Sequence, residues 1–345
     1  MKTDKKTIKV NFINFWPRFK PGQTLITQIL EKHYHVEISD NPDYLFCSVI
    51  GKQFYDYLDY PGIRIMYSAE NMIPDLNSVD YAISPYPVSL YDRCFHFPVG
   101  MRISKKNRYL EMRSNGGIHF TKEDLTKKSI FANFCASHNS DDGKRGAFFK
   151  QLSESYKKVD SIGTFLNNTG TIVDMVDGTK WDYQRKCKFT LCFESVSQQG
   201  FNTEKIVDAF YTDTIPVYYG DPNIGQIYNT KAFINVRDYP SFDAAIARIK
   251  ELDQDDEQYL EMLNQPVLND PEYPTKFEAD LEAFLLNIFE QPLEQAYRRA
   301  RAFIPYERER VLRQAIRSYY SKPQVFLRRV KAKFRALIHY RKWRI

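Results

Sequence analysis

Glu204 and Lys205 place a carboxylate and an ammonium next to each other at the predicted start of a helix. An apolar strand, Lys188–Phe193, precedes them, and Thr203 is a favoured residue type for the position that begins a helix. Ligands gather at strand carboxyl ends and helix amino ends in strand–helix–strand units, so this pair could face a ligand. The alternative is that Glu204 only complements the helix dipole and Lys205 is solvated.

A second candidate is Glu70, which follows the apolar segment Ile63–Ser68. That segment has the pattern of a strand, so Glu70 lies at the carboxyl edge of a predicted sheet, where open α/β folds bind ligands. A carboxylate within hydrogen-bonding reach can take the proton of a hydroxyl group as its oxygen forms a new bond. A solvated loop residue, or a cap for the next turn, is the alternative interpretation.

Two cations, Lys144 and Arg145, begin a predicted helix that follows the strand Ser129–Ala136 and a polar loop. A nucleoside diphosphate binds well to helix amino-terminal amides together with a cation, and arginine can contact a phosphate through two donors at once. The pattern therefore indicates a diphosphate site. Alternatively, both cations offset Asp141 and Asp142 at the surface.

The elements that position these residues alternate between strand and helix, which favours parallel sheets with helices on both faces. A polar stretch, Ser104–Gly117, separates two such series. The pattern alone allows either one large sheet or two Rossmann-like domains. The predicted strands and helices are Ile8–Phe15, Thr24–Lys32, Tyr44–Ile50, Ile63–Ser68, Val79–Ile83, Ser129–Ala136, Lys144–Ser155, Val159–Gly163, Lys188–Phe193, Glu204–Tyr211, Ile215–Tyr219, Phe233–Val236 and Phe242–Leu252.

The segment Lys188–Asn223 resembles the signature of the α1,3/4-fucosyltransferases, glycosyltransferase family 10, and the likeness is to the bacterial type. In that family a strand ending in Phe-Glu is followed by a loop, Thr-Glu-Lys, a helix, an Ile-Pro-Val strand and a glycine. The order and spacing of these pieces are specific, although each alone is common. The matching residues here are Phe193-Glu194, Thr203-Glu204-Lys205, Ile215-Pro216-Val217 and Gly220.

The resemblance implies a role for each candidate. Glu70 becomes the catalytic base, with Asn71 beside it at the acceptor. Glu204 holds the ribose of the donor, and Lys205 neutralises phosphate charge as the nucleotide leaves. The resemblance implies donor binding by the residues Ser137, Asn139, Lys144, Arg145, Asn167, Glu194, Ser195, Phe201, Thr203, Glu204 and Lys205.

Three positions depart from the family pattern. Ser195 stands where an Asn commonly follows Phe-Glu, and Phe201 stands where a Tyr is frequent. Asn167 stands where an Arg is usual, which removes one expected phosphate or base contact. These departures leave the identity of the donor sugar less firmly implied than the class of reaction.

The resemblance implies an inverting transfer of L-fucose from GDP-fucose to a hydroxyl of N-acetylglucosamine, in a Lewis-type glycan or a lipopolysaccharide O-antigen. Two alternatives are a transferase of the same fold that uses another nucleotide sugar, and an inactive relative that binds glycans or membranes. No obligatory metal is expected, because Arg and Lys can replace Mg²⁺ on the diphosphate. Acceptor specificity is expected to depend on the loops Trp16–Pro21 and Tyr86–Arg93.

The fold implied is GT-B-like, an α/β architecture of two Rossmann-like domains that face a cleft, followed by a helical basic tail. The predicted boundaries are 1–120 for the acceptor domain, 121–293 for the donor domain and 294–345 for the tail.

Composition limits the class of protein. With 43% hydrophobic and 27% charged residues, the chain is typical of a globular protein, and no apolar run is long enough to span a bilayer. The first residues alternate like a strand, so no signal peptide is expected. The odd set of five cysteines, several in apolar strands, predicts reduced thiols rather than disulfides or a zinc site.

Charge is concentrated at the end of the chain, where residues 294–345 contain sixteen Lys or Arg and three Asp or Glu. Within residues 322–344 there are nine Lys or Arg and no acidic residue, with apolar residues at helical spacing. This pattern is typical of a helix that lies on an anionic membrane surface. The resemblance favours this interpretation, because bacterial family members are peripheral membrane proteins, and it implies a cytoplasmic enzyme peripherally associated with the inner membrane. A helix packed on the body or a nucleic-acid arm are alternatives, and the acidic remainder of the chain argues against nucleic acid as a partner.

Overall fold

The structure, a computed structural model, describes residues 5–51, 55–173 and 178–321 and contains two parallel sheets. The first has six strands in the order β2-β1-β3-β4-β5-β6, and the second has five in the order β11-β10-β9-β7-β8. The strands are β1 (Thr7–Ile13), β2 (His35–Ile38), β3 (Tyr44–Cys47), β4 (Ile63–Tyr67), β5 (Tyr81–Ser84), β6 (Cys94–His96), β7 (Ile130–Phe134), β8 (Val159–Ser161), β9 (Cys187–Phe193), β10 (Ile215–Tyr219) and β11 (Ile234–Asn235).

Helices cover both sheets. They are α1 (Leu25–His33), α2 (Ser104–Ser114), α3 (Lys122–Leu125), α4 (Lys144–Ser155), α5 (Thr179–Gln184), α6 (Glu204–Tyr211), α7 (Phe242–Gln254), α8 (Asp256–Leu263), α9 (Tyr273–Phe289), α10 (Leu293–Ala296) and α11 (Phe303–Tyr320). Two separate sheets confirm the α/β prediction and exclude one large sheet.

The central strands are apolar because they are buried on both faces. Every residue of β3, β4, β5 and β10 is buried, as expected for parallel strands covered by helices on each side. This apolar character, interrupted in β4 by Arg64, made these strands recognisable in the sequence. The edge strands β2 and β6, of four and three residues, were not expected, since such short segments carry little periodic signal.

The polar stretch between the two halves is a helix, α2, which was not expected. Its buried residues include Lys106, Asn107 and Arg113 beside Leu110, so its buried face is largely polar. Hydrophobic periodicity, the main sequence signal for a helix, is therefore weak there.

The chain returns to the first sheet after completing the second. Helix α9 packs on the first sheet, with the ring of Phe289 4.2 Å from that of Tyr44 and the ring of Phe277 5.2 Å from that of Phe97. Residues predicted to belong to the donor domain thus contribute to the core of the other domain. The predicted boundaries at 120 and 293 themselves stay a prediction.

Helix α6 lies against the segment that joins the sheets. A Cβ added at Gly100 would lie 2.5 Å from Cγ2 of Val207, so only a glycine lets the helix approach this closely. The apolar core continues through this contact, since Met101, Leu110 and Phe210 belong to the same buried cluster. The two halves therefore meet at the start of α6.

All five cysteines are free of disulfides, and three of them, Cys47, Cys187 and Cys192, are buried. Across the described ranges, no helix is long and apolar enough to cross a membrane. Most of the described part of the predicted tail forms α11, which packs Leu312 and Ile316 on the first domain. The predicted membrane-binding helix, residues 322–345, lies outside the described residues.

Candidate active site between the two sheets

Residues from both sheets line one open cavity of about 530 Å³. Glu70 and Asn71 reach it from the loop after β4, and Ser195 reaches it from the loop after β9. His138 and Asp141, from the loop between β7 and α4, line its other side. The structure therefore brings the predicted base and part of the predicted donor site together across a cleft.

The backbone of Glu70 is fixed by two hydrogen bonds, and its carboxylate is exposed to solvent. The amide of Glu70 donates a hydrogen bond of 3.1 Å to the hydroxyl of Ser68, and its carbonyl accepts one of 2.7 Å from Met72. Within the described ranges, no side chain forms a hydrogen bond or ion pair with this carboxylate. This carboxylate is therefore free to accept a proton from a bound ligand.

Asn71 links the two halves through Tyr86. The hydroxyl of Tyr86 donates to Oδ1 of Asn71 and lies 3.3 Å from Oε1 of Gln198. The ring of Tyr86 stacks on that of Phe201 with centroids 5.6 Å apart. Phe201 is buried, so its ring supports the wall of the cleft, and its predicted donor contact stays a prediction.

Glu194 is completely buried at the end of β9. Its Oε1 accepts hydrogen bonds from the amide of Thr203 at 2.8 Å and from its hydroxyl at 2.9 Å, while Oε2 lies 2.8 Å from Nζ of Lys205. Thr203 does occupy the N-cap position of α6, but its side chain makes no capping bond, because the hydroxyl is directed to Glu194. Glu194 thus fixes the start of α6.

Glu204 and Lys205 form the first turn of α6, as predicted from the sequence. Burial alone would raise the pKa of Glu204, but the cations Lys205, Arg102 and Lys180 hold that pKa far below its usual range. Burial would lower the pKa of Lys205, and the nearby carboxylates Glu194 and Glu204 raise it. Both groups are charged at neutral pH. No side chain of the described chain donates a hydrogen bond to the carboxylate of Glu204.

A buried cluster of ion pairs fixes the second turn of α6. Asp208, one turn further along α6, pairs with Lys106 of α2 and, at 2.7 Å, with Lys180 of α5. All three side chains are at most 4% exposed. A buried carboxylate with two cations is costly to break, so this cluster fixes α6 relative to both neighbouring helices.

Arg145 is also buried, with 3% of its surface exposed. Its Nε and Nη2 donate to the carbonyl of Phe193 at 3.1 and 2.8 Å, and Nη1 donates to the carbonyl of His138 at 2.8 Å. These bonds tie the end of β9 to the loop before α4. The predicted phosphate contact of Arg145 stays a prediction, and the contacts described here are those of a residue that positions the loop.

The other predicted residues of this loop are closer to solvent. Ser137 and Asn139 are exposed, and Oδ1 of Asn139 accepts from the amides of Ser140 at 3.0 Å and Gly146 at 2.9 Å. The ammonium of Lys144 donates to the hydroxyl of Tyr219 at 2.6 Å, close to Asp142. Asn139 therefore shapes the start of α4, and Lys144 is an exposed cation beside it.

Asn167 organises the loop after β8. Its Nδ2 donates to the carbonyls of Gly163 and Thr171, both at 2.8 Å, and its Oδ1 accepts from the amide of Gly170 at 3.0 Å. The side chain closes its own loop, which explains why an amide suits this position in the present chain.

Three residues near the cleft were not among the predicted site residues: Arg102, His138 and Asp141. Tyr86, by contrast, begins one of the two loops predicted to determine acceptor specificity. His138 and Asp141 lie in the same polar loop as Ser137 and Asn139, so the prediction that this loop lines the donor site could have been extended to them. Arg102 lies in the short 3₁₀ segment Val99–Arg102 and is 6.0 Å from the ring centroid of Trp16. Nothing in its local sequence distinguishes it. Within the described ranges, no cluster of three His, Cys, Asp or Glu side chains could hold a metal ion.

Family models match both halves of the chain. Residues 10–101 match the alpha-(1,3)-fucosyltransferase FucT N-terminal domain, and residues 125–265 match the C-terminal model of glycosyltransferase family 10 (fucosyltransferase).

Curated relatives give the same result. The alpha-(1,3)-fucosyltransferase FucT of Helicobacter pylori is 30% identical over 297 residues, which cover 76% of this chain and 60% of that protein. The human 4-galactosyl-N-acetylglucosaminide 3-alpha-L-fucosyltransferase 9 is 34% identical over 125 residues, which cover 35% of this chain and 32% of that protein. The chain thus spans less than two thirds of the length of these relatives.

Solved structures agree on the fold. A crystal structure of an alpha1,3-fucosyltransferase matches with a TM-score of 0.65 at 24% identity, covering 82% of this chain and 92% of that one. The structure of an alpha1,3-fucosyltransferase with GDP-fucose matches with a TM-score of 0.63 at the same identity and coverage. This likeness confirms the GT-B-like fold. The two family models and the bacterial relative show that the chain belongs to glycosyltransferase family 10, the fucosyltransferases.

Proposed function

We propose that the protein is an α1,3-fucosyltransferase that moves L-fucose from GDP-fucose to a sugar hydroxyl with inversion. The observation that carries this proposal is the exposed carboxylate of Glu70, which pairs with no side chain in the described ranges and shares one cavity with Ser195 from the opposite sheet. Glu70 takes the proton of the acceptor hydroxyl, the hydroxyl oxygen bonds to the anomeric carbon, and the bond from that carbon to GDP breaks. Inversion follows from this single displacement, in which acceptor and leaving group lie on opposite faces of the sugar.

The donor lies over the start of α6. Lys205, charged and 21% exposed, faces the leaving diphosphate, where a fixed cation stabilises negative charge that grows in the transition state. The carboxylate of Glu204, which receives no side-chain hydrogen bond within the part of the chain that the structure describes, accepts the ribose hydroxyls. Arg145 keeps the end of β9 and the loop before α4 in place around the diphosphate. No metal ion is required in this scheme.

Two observations support GDP-fucose as the donor. The Helicobacter pylori relative is named an alpha-(1,3)-fucosyltransferase, and one structure of the same fold is of an enzyme with GDP-fucose. The acceptor proposed is N-acetylglucosamine in a Lewis-type glycan or a lipopolysaccharide O-antigen. A donor with another nucleotide sugar is a second candidate. The amide of Asn167 forms hydrogen bonds within its own loop, so this position does not provide the phosphate contact that an arginine would make.

The test is donor turnover with a panel of nucleotide sugars, comparing GDP-fucose with GDP-mannose and UDP-N-acetylglucosamine. Turnover of GDP-fucose alone is the expected result. Turnover of another sugar would establish the second candidate. No turnover of any donor, with intact folding, would contradict the enzyme assignment and leave an inactive glycan- or membrane-binding relative.

We further propose that the enzyme works at the cytoplasmic face of the inner membrane, held there by residues 322–345. The support is the density of basic and apolar residues in that segment and the exposure of Phe303 and Ile304, 76% and 78%, on the preceding helix α11. Deleting residues 322–345 should move the protein from the membrane to the soluble fraction. An unchanged distribution would contradict this proposal.

A further inference from the structure

Tyr86 is anchored between the two sheets by contacts with both. Its amide donates a hydrogen bond of 3.1 Å to Oγ of Ser84, the last residue of β5, and its ring stacks on that of Phe201 with an angle of 24° between the ring planes. Tyr86 and Phe201 are 5% and 2% exposed. So little of Tyr86 is accessible that a ligand in the cleft can meet it only through a neighbouring side chain.

The hydroxyl of Tyr86 has one proton and two amide oxygens within reach. Oδ1 of Asn71 is the nearer, and Oε1 of Gln198 lies 3.3 Å away. Burial, with a contribution from the carboxylate of Asp141, raises the pKa of Tyr86, so the hydroxyl keeps its proton at neutral pH and acts as a donor. Because this proton goes to Oδ1, Tyr86 fixes which end of the Asn71 carboxamide faces it.

The other end of the Asn71 carboxamide is left for a ligand. Asn71 is exposed and lines the cavity beside Glu70, and within the described ranges no residue accepts a hydrogen bond from its Nδ2. With Oδ1 held by Tyr86, Nδ2 offers two N–H donors, since the carboxamide has no other acceptor. The wall of the cavity therefore places a carboxylate that accepts next to an amide that donates.

We propose that Tyr86 is a positioning residue for acceptor choice: by orienting Asn71, it makes the site select a sugar with a carbonyl oxygen next to the reacting hydroxyl. The acetamido group of N-acetylglucosamine supplies such an oxygen, on the carbon adjacent to the one that bears the 3-hydroxyl. Glucose has only a hydroxyl there, and a site built to hydrogen-bond one substrate group discriminates against the analogue that lacks it. This inference rests on the proposed transferase activity and adds to it the group of the acceptor that is recognised.

The test is the ratio of kcat/KM for N-acetyllactosamine to that for lactose, with GDP-fucose as the donor, since the two disaccharides differ only in the acetamido group. Tyr86→Phe removes the hydroxyl but keeps the ring that stacks on Phe201. Wild type should prefer N-acetyllactosamine, and Tyr86→Phe should lower that preference about fivefold to tenfold, the equivalent of one hydrogen bond. The affinity for GDP should not change.

A double-variant comparison separates positioning from support of the fold. If Tyr86 acts through Asn71, the preference falls by a similar factor in Asn71→Ala, and adding Tyr86→Phe to that variant lowers it no further. The matched control is Tyr156→Phe, which removes a hydroxyl bonded to Asp253 at 2.8 Å, at the end of α4 away from the cleft. The preference of this control should equal that of wild type.

Failure of this role is distinguishable from failure of the proposed function. An unchanged preference in Tyr86→Phe, or a further fall when both substitutions are combined, would overturn the role and leave the proposed fucosyl transfer intact. Equal transfer by wild type to both disaccharides would do the same. Absence of transfer from wild type to either disaccharide would contradict the proposed function, and the role of Tyr86 with it.

Discussion

Glu194 and Lys205, eleven positions apart in the sequence, form an ion pair of 2.8 Å in which the carboxylate is fully buried and the ammonium is 21% exposed. The same carboxylate receives two hydrogen bonds from Thr203, so it fixes the loop end and the helix start together. The family signature Phe-Glu followed by Thr-Glu-Lys is therefore a structural unit, in which one buried acid presents one partly exposed cation to the cleft.

Replacing Glu194 by Gln should destabilise the fold. It leaves a largely buried ammonium without its counter-charge, and breaking such a pair costs about 2 to 3 kcal/mol, less than for a fully buried pair. Chemical denaturation measures this change. Glu282→Gln, which removes a surface pair with Lys32, should cost under about 1 kcal/mol. Equal costs for both variants would contradict the structural role given to Glu194.

Gly220→Ala should displace the same carboxylate. A Cβ at this position would lie 2.5 Å from Cγ of Glu194, closer than packed atoms allow. Overpacking of this kind costs about 1 to 3 kcal/mol, and here it also moves the start of α6. Both the melting temperature and the transfer rate should fall. In Gly22→Ala, where the added carbon meets nothing within 4 Å, neither should change.

Asn167→Arg restores the residue type that is usual in the family but should not improve donor binding. The change removes the three hydrogen bonds that close the loop, which costs about 3 kcal/mol at about 1 kcal/mol net per bond. The KM for GDP-fucose and the unfolding free energy report the result. Thr164→Arg adds a cation to the same loop without breaking those bonds and should be better tolerated. A lower KM in Asn167→Arg would show that the loop adapts.

Stability should fall below about pH 6.5 because of His96, whose Nε2 lies 3.4 Å from the carbonyl of Gly200. Burial lowers the pKa of His96, although nearby carbonyls and Asp221 partly oppose this. Between the folded pKa and the unfolded one, the unfolded chain binds more protons, so the unfolding free energy rises with pH across that window. Denaturation midpoints measured across the window should flatten in His96→Gln. An unchanged slope in that variant would contradict the assignment.

The sequence predicted much of the fold, since α4, α6 and β10 have the boundaries expected from periodicity and capping. It could not predict α2, whose buried face is polar, because pairing with a partner such as Asp208 depends on tertiary contacts. For the same reason, the family resemblance implied donor binding by Glu194 and Arg145, but the sequence could not show that both side chains contact protein groups. Glu70 was predicted to lie at the sheet edge because the predicted strand Ile63–Ser68 ends two residues before it, and the structure places it in the cavity.

The most direct test of Glu70 as the catalytic base is the transfer rate of Glu70→Gln, measured together with the affinity of this variant for GDP. A general base contributes about a hundredfold or more, so transfer should fall by at least that factor while GDP binds as in the wild type. Asp141→Asn is the matched control, because Asp141 also presents a carboxylate to the cavity but from the donor side. Its transfer rate should exceed that of Glu70→Gln by far. Near-wild-type transfer by Glu70→Gln would show that Glu70 is not the base that deprotonates the acceptor.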